Sequence, residues 1–351
     1  MRGIRLIALT GAIAGVTLAG TSVIGAGLSG PALAATVREP VEVPGTPTAV
    51  TVSPSGSHVY VANGRRVLAI DADTLQTAWT TPVPSATDLA TAPSGSRVYA
   101  GGGTRVVAID AASGEILHTM SVKAGVEALA VTPDGRQVWA LGPGPKAVPH
   151  GVITVLDAVS GRTVDTINVG PIPKDLVISP SGARAYVLGW GSDSVWVINA
   201  KSRTVMSKLK VRPWPEAMAV NPDGSRLLVS HSPPGVQRAY AVTTINTEQR
   251  AVTGVFRNPA DLAAISVNQA ELQVGTTALS AGRALVGITD DTELVVIDLT
   301  TQQTAVVLDI RPACAGVLSL NGLALSPGTS RAYVTAECLG HPGTLTAVDL
   351  S

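Results

Sequence analysis

The chain has 351 residues, and its 25 lysines and arginines equal its 25 aspartates and glutamates in number. Such a balance argues against a nucleic-acid-binding surface, which normally carries a basic excess, and against electrostatic binding to anionic membranes. The length allows one large domain or two smaller ones.

An export signal is predicted at the start of the chain. Arg2 and Arg5 precede a long apolar run, and Ala32–Ala34 forms an A-x-A cleavage pattern. A membrane anchor is the alternative, but glycines and threonines interrupt the apolar run. We therefore predict a signal peptide at residues 1–35, removed during general export. The mature domain, residues 36–351, would be secreted or extracytoplasmic, with 23 basic against 25 acidic residues.

A repeat in two registers occupies the rest of the chain. In the first register, an apolar strand leads through a turn of proline, serine or aspartate, and glycine into an apolar-aromatic strand. The prolines of these turns are Pro54, Pro93, Pro133, Pro180, Pro222 and Pro327, and Ala281–Gly282 is a degenerate copy.

In the second register, an apolar strand ends in an aspartate or asparagine. These strand ends are Asp71, Asp110, Asp157, Asn199, Asn246, Asp298 and Asp349. Such side chains accept hydrogen bonds from backbone N–H groups two residues on, so we predict Asx-turns here and not catalytic groups. After each of the first six turns comes one more β-rich strand, of which Thr163–Val169 is a clear case.

Each unit therefore has four strands, and the units follow at about 40 to 50 residues, a spacing typical of β-propeller blades. The seventh unit stops at Ser351, where an outer strand should begin, and Thr36–Val43 has the length of that missing strand. Pro40 suits an outermost strand, which tolerates a missing donor. We predict one all-β domain, a seven-bladed β-propeller of four-stranded blades whose last blade is closed by the N-terminal strand.

Two of the units carry a recognisable motif. Tyr60–Asn63 reads Tyr-Val-Ala-Asn and Tyr333–Ala336 reads Tyr-Val-Thr-Ala, each after a turn with proline and glycine. The units resemble the YVTN family of surface-layer-like β-propeller repeats over nearly all of the mature chain. They depart from it between Phe256 and Thr277 and in the sixth unit, which lacks the turn proline. The resemblance implies the fold, whereas the functions of the family are diverse.

A candidate ligand site is predicted at the channel mouth, where polar residues begin the innermost strands. Its members are Thr48, Asp88, Glu127, Lys174, Asp175, Glu216 and Asn321. Three interpretations stay open: a solvated ring, a cation site, and a site for a polar small molecule. The sequence requires no cofactor, and Ca²⁺ is the ion that these carboxylates and the amide suit.

Loops between the second and third strands, and loops entering the innermost strands, are predicted to share the face around the mouth. Candidate contact residues on this face are Arg65, Arg105, His150, Trp190, Trp214, His231 and His341. The three histidines fall in alternate units, which weighs against a joint metal site. The two tryptophans suit a peptide, glycan or partner surface, with packed loop anchors as the alternative.

The two cysteines, Cys314 and Cys338, form an even pair in a chain predicted to be exported. An oxidising compartment favours a disulfide between them, and two free thiols are the alternative. Such a disulfide would brace the last blade.

No catalytic signature occurs in the mature chain, which lacks G-x-S-x-G, H-E-x-x-H and a phosphate-binding loop. We therefore predict a monomeric secreted or cell-surface propeller that acts as a binding or scaffold protein. Its ligand would be a protein, a glycan or a small molecule, with no nucleic acid and no membrane span after signal cleavage. The alternative is a propeller lyase, or a lactonase-like, calcium-dependent hydrolase, with its site at the channel mouth.

Overall fold

The computed structural model describes residues 35–144, 150–231, 241–257, 274–275, 283–288, 293–298, 303–310, 317–327, 330–338 and 340–350. Within these residues the chain forms 29 β-strands and one 3₁₀ turn, Trp190–Ser192. No helix in this part of the chain is long and apolar enough to cross a membrane. The predicted signal peptide, up to residue 34, lies outside the described residues.

Two short strands come first, and six antiparallel four-stranded sheets follow, each made of strands consecutive in sequence. The first strands are β1 (Ala35–Val37) and β2 (Val41–Val43). Blade 1 consists of β3 (Ala49–Val52), β4 (His58–Ala62), β5 (Arg66–Asp71) and β6 (Thr77–Pro82). Blade 2 consists of β7 (Asp88–Thr91), β8 (Arg97–Gly102), β9 (Arg105–Asp110) and β10 (Ile116–Ser121). Blade 3 consists of β11 (Ala128–Val131), β12 (Gln137–Pro143), β13 (Gly151–Asp157) and β14 (Thr163–Val169).

The second half of the chain continues the pattern and ends in a different sheet. Blade 4 consists of β15 (Pro173–Ile178), β16 (Arg184–Gly189), β17 (Ser194–Asn199) and β18 (Thr204–Lys210). Blade 5 consists of β19 (Pro215–Val220), β20 (Arg226–His231), β21 (Ala241–Asn246) and β22 (Ala251–Arg257). Blade 6 consists of β23 (Val274–Gly275), β24 (Arg283–Ile288), β25 (Glu293–Asp298) and β26 (Gln303–Asp309). The last strands are β27 (Val317–Leu325), β28 (Arg331–Cys338) and β29 (Gly343–Leu350).

These sheets form a β-propeller. The first strand of each blade lies innermost and contacts the first strand of the next, and β27 contacts β3. Hydrophobic clusters fill the spaces between neighbouring sheets. An aromatic side chain of the second strand is buried in five of these clusters: Tyr60, Tyr99, Trp139, Tyr186 and Tyr333. The repeated aromatic in the sequence therefore marks the core between blades.

The prediction of Asx-turns is confirmed at the first five of the seven strand ends, whereas Asp349 accepts hydrogen bonds from two arginines. The Oδ1 atom of Asp71 accepts the N–H groups of Asp73 (3.2 Å) and Thr74 (2.8 Å). Asp110, Asp157 and Asn199 repeat this pair of bonds, and Asn246 makes the second. Hydrogen bonds from the backbone and the hydroxyl three residues on hold the pKa of each of the three aspartates below its usual range. These carboxylates serve the turns.

The predicted blade count and closure are wrong in two respects. The prediction was seven four-stranded blades, but the structure has six. The sheet that holds the C-terminus has five strands. A single N-terminal strand does not complete that sheet, because β1 pairs with residues 348–350 of β29 while β2 pairs with residues 343–345. Residues 38–40 between them are not in a strand, although the Arg38 N–H still donates to the Ala347 carbonyl (2.8 Å). Pro40 has no N–H to donate, so a continuous ladder breaks there.

A charged network joins this five-stranded sheet to the N-terminal segment and to blade 1. Asp349 accepts hydrogen bonds from Arg331 Nε (2.6 Å) and from Arg38 Nε (2.7 Å), which lies 311 residues away in sequence. Arg331 also donates to the carbonyl oxygen of Ala72 in blade 1 (2.7 Å). Arg97 and Arg184 begin the second strands of blades 2 and 4 and reach the next blade in the same way.

Replacement of Arg331 by alanine is expected to lower the free energy of unfolding by about 2 kcal/mol, because Asp349 and the Ala72 carbonyl lose a charged donor in a partly buried place. Urea denaturation followed by circular dichroism measures the change. The control is Arg136→Ala, since the Arg136 side chain is 85% exposed and its ion pair is long (4.0 Å). We expect the control to change stability by less than about 0.5 kcal/mol. Equal effects of the two variants would contradict a structural role for the network.

Candidate ligand site at the channel mouth

In every sheet but that of blade 6 a turn proline follows the innermost strand, and it gives these sheets a common register. Loops that enter these strands lie beside loops between the second and third strands. The Trp190 N–H donates to the Ile172 carbonyl (2.9 Å), and the Val211 N–H donates to the Asp193 carbonyl (3.0 Å). Both kinds of loop thus border the end of the ring where the innermost strands begin, here called the channel mouth. Six residues before the turn proline stand Thr48, Thr87, Glu127, Lys174, Glu216 and Asn321.

Where this position holds a hydroxyl or an amide, the side chain links neighbouring sheets. Thr48 Oγ1 donates to the Ala86 carbonyl oxygen (2.9 Å), and Asn321 Nδ2 donates to that of Pro47 (2.9 Å). Thr87 makes the same kind of bond to blade 3 (3.0 Å). Thr48 and Asn321, which the sequence places in the candidate ligand site, therefore hold adjacent innermost strands together.

Two of the predicted carboxylates also link blades. Asp88 Oδ2 accepts the N–H of Leu129 in blade 3 (2.6 Å), and Asp175 Oδ2 accepts the N–H of Met218 in blade 5 (2.6 Å). A short hydrogen bond from a backbone N–H to a carboxylate is among the stronger kinds. Both aspartates thus position the innermost strands.

The four predicted carboxylates do not form a metal cage. Among the residues that the structure describes, no three histidine, cysteine, aspartate or glutamate side chains come together in a way that could hold a metal ion. Asp88 and Asp175 are directed to backbone N–H groups, and Glu127 is exposed. The calcium interpretation of the mouth gains no support from this geometry.

Among the sheets with a turn proline, charged side chains occupy the common position in blades 3, 4 and 5, as Glu127, Lys174 and Glu216. Lys174 Nζ lies 3.6 Å from Glu216 Oε2. Both residues stand at register shifts in their strands, so neither is held in a regular cross-strand pair. Because the Glu216 side chain is only 16% exposed, the attraction is screened less than in a surface pair.

Two tryptophans lie beside this ion pair. Trp190 Nε1 donates to Glu216 Oε1 (3.2 Å), so the carboxylate joins the indole and the lysine. The rings of Trp190 and Trp214 meet edge to face with centroids 5.2 Å apart. This arrangement is favourable for aromatic pairs. We call Lys174, Trp190, Trp214 and Glu216 the mouth cluster.

The backbone holds Trp214 in an unfavourable conformation. Its φ is +61°, a left-handed value that a bulky residue rarely adopts, and the residue is 37% exposed. Its N–H is directed to Asp193 Oδ1 (3.4 Å), and Asp193 also pairs with Lys210 (3.4 Å). Strain of this kind is concentrated at binding and catalytic sites. A large aromatic surface is thus kept at the mouth against local backbone preference.

Four of the remaining loop-face candidates lie on other blades, whereas His231 lies on blade 5, opposite Pro215. Arg65, Arg105, His150 and His341 are exposed on blades 1, 2 and 3 and on the five-stranded sheet. His231 is buried at the end of β20, where its Nε2 lies 2.8 Å from Thr243 Oγ1. The three loop histidines therefore do not form one site.

The predicted disulfide is only half covered by the described residues. Cys338 ends β28 and is buried. Cys314 lies outside the described residues, so the pairing of the two cysteines stays a prediction.

Sequence reasoning missed two residues beside the mouth cluster. Ile172 precedes the innermost strand of blade 4 as Trp214 precedes that of blade 5, and it too has a left-handed backbone (φ +48°) and is 58% exposed. Asp193 binds the loop of Trp214. Ile172 can be found by aligning the blades position by position, because a bulky residue stands directly before Pro173 and directly before Pro215.

Comparison with known proteins supports the fold alone. No family model matches the chain, and no curated protein does. Among 1566 matching chains of solved structures is one of hydrazine synthase from Kuenenia stuttgartiensis. It superposes with a TM-score of 0.69 at 19% sequence identity, over 87% of this chain and 96% of that chain. At that identity the likeness establishes a β-propeller and transfers no activity. The YVTN resemblance thus rests on the motifs alone.

Proposed function

We propose that the chain is an extracytoplasmic binding propeller of the YVTN-repeat type, and that its ligand occupies the mouth cluster. The export-type composition of residues 1–35 supports the location. The motif tyrosines Tyr60 and Tyr333, buried between sheets, are consistent with the repeat type. The ligand is a small molecule or a glycan, and the protein acts as a monomer.

The mouth cluster is the observation that carries this proposal. An exposed indole, a carboxylate and an ammonium group lie together at the mouth, held by Trp190 and the ion pair. Ligand sites combine apolar and aromatic surface with a few polar groups in fixed positions. Binding needs nothing further, whereas hydrolysis needs an activated nucleophile or a metal-held water. The four residues of the cluster are an amine, a carboxylate and two indoles, and His231, opposite Pro215, is buried with its Nε2 2.8 Å from Thr243 Oγ1.

A ligand panel tests the proposal. Neutral saccharides, glucuronate, short peptides, choline and lactones are titrated against the chain by thermal shift and calorimetry. We expect one class to bind saturably, and Trp214→Ala to weaken that binding at least tenfold, as central aromatic contacts do. The control is Arg136→Ala, whose side chain is 85% exposed in the turn between β11 and β12, and which should bind as the parent does. Lactone turnover that is lost on chelation would replace this proposal with the hydrolase.

A further inference from the structure

The charges of the mouth cluster restrict the class of ligand. Lys174 and Glu216 lie 3.6 Å apart, so their opposite charges offset each other within the cluster. An anionic ligand would have to compete with Glu216 for Lys174, and a cationic ligand would meet Lys174 beside the carboxylate. A neutral ligand avoids both costs, because it leaves the ion pair in place.

The hydrogen-bonding groups of the cluster favour hydroxyls. The Lys174 ammonium group only donates, and the Glu216 carboxylate only accepts. A hydroxyl does both, so two neighbouring hydroxyls on one ligand can bond to the two sides of the ion pair. Glu127, exposed at the same position in blade 3, offers further acceptors along the mouth.

The tryptophan pair favours a ligand with an apolar face. The ring planes of Trp190 and Trp214 lie at 63° to each other. The Nε1–H group of Trp190 donates to Glu216. Trp214 therefore offers apolar surface beside polar groups. A pyranose has this division, with C–H groups over the ring face and hydroxyls around the edge.

We infer that the mouth cluster binds a neutral pyranose, either a free sugar or a unit of a glycan, with its C–H face on Trp214 and its hydroxyls on Lys174 and Glu216. The inference rests on the proposed binding function and specifies its ligand. Ile172, exposed before the innermost strand of the neighbouring blade, extends the apolar surface toward blade 4.

Calorimetry with maltose, cellobiose, lactose and N,N′-diacetylchitobiose tests the inference. We expect at least one to bind with a Kd of about 1 mM or tighter. Trp214→Ala should weaken this binding at least tenfold and Trp214→Phe less, while Arg136→Ala, in the exposed turn between β11 and β12, leaves it unchanged. Between low and high salt the Kd should change less than about twofold, because no net charge is exchanged.

A charge variant separates the inference from the proposed function. Lys174→Gln removes a positive charge beside Glu216 and two indoles, so choline, which the parent should not bind, is expected to bind this variant. Binding of glucuronate, choline or a peptide to the parent that depends on Trp214, with no neutral sugar bound, overturns the pyranose inference and keeps the binding function. Absence of any Trp214-dependent ligand in the whole panel overturns both.

Discussion

Replacement of Gly102 by alanine is expected to lower the free energy of unfolding by about 3 kcal/mol or more. Gly102 ends β8, and the loop that enters blade 2 crosses it there. A Cβ on Gly102 would lie 1.6 Å from the Ser85 carbonyl oxygen and 2.3 Å from its carbon. The Ser85 N–H is bonded to the Gly64 carbonyl (2.8 Å), so the loop cannot withdraw without losing that bond.

The neighbouring glycine is the matched control. A Cβ on Gly103 would meet no atom within 4 Å, but the φ of this residue is +53°. Gly103→Ala should therefore cost only the left-handed strain, about 1 kcal/mol. Urea denaturation of the two variants gives the comparison. If both lose the same stability, steric contact with Ser85 is not what requires glycine at residue 102.

The same geometry recurs in blade 3 and extends the prediction. Gly142 lies near the end of β12, and a Cβ there would lie 1.5 Å from the Gly125 carbonyl oxygen. Gly142→Ala should match Gly102→Ala in effect. In blade 5 the equivalent position holds His231, so the entering loop, with Arg212 and Pro213, must accommodate an imidazole.

Acidification from pH 7 toward pH 4 is expected to destabilise the chain through His231. Burial, helped by the charge of Arg212 and opposed by the backbone of Pro213 and Arg212 and by the charge of Asp193, lowers the pKa of His231 to about 4. In the unfolded chain the pKa returns to about 6.5. The unfolded state therefore binds more protons between these values, and stability falls as the pH falls, by up to about 3 kcal/mol.

A difference measurement isolates this histidine from the other titrating groups. His231→Gln keeps an amide to meet Thr243 and cannot titrate in this range. The unfolding free energy is measured by urea at pH 7.5, 6.5 and 5.5 for both proteins. We expect the parent to lose about 1 kcal/mol more than the variant between pH 6.5 and pH 5.5. Parallel curves would show that His231 is accessible to protons in the folded chain.

Local features of the fold were predictable from the sequence because they depend on a few neighbouring residues. The Asx-turns at Asp71, Asp110 and Asp157 need only a side-chain oxygen and the next N–H groups. The buried aromatics such as Tyr60 and Tyr99 follow from strand alternation and the repeat. The four-stranded unit follows from the spacing of these turns.

Features that depend on distant pairing were not predictable. Thr36–Val43 was expected to form one outer strand, but two short strands pair with opposite ends of β29. The sequence shows Pro40, which breaks a strand. That the two resulting strands both pair with β29 depends on its length of eight residues and on the Arg38–Asp349 hydrogen bond. Nothing local to either end of the chain encodes that match.

The site shows the same division. By itself the sequence determined which polar residues stand six positions before each turn proline, although β27 begins at Val317 and so places Asn321 in mid-strand. Only the tertiary structure decided that Asp88 and Asp175 bond to the next blade while Lys174, Glu216 and the two tryptophans meet at the mouth. The physical reason is that a side chain's role at a blade boundary depends on which donor or acceptor the adjacent blade presents, and that partner lies about 40 residues away in the chain.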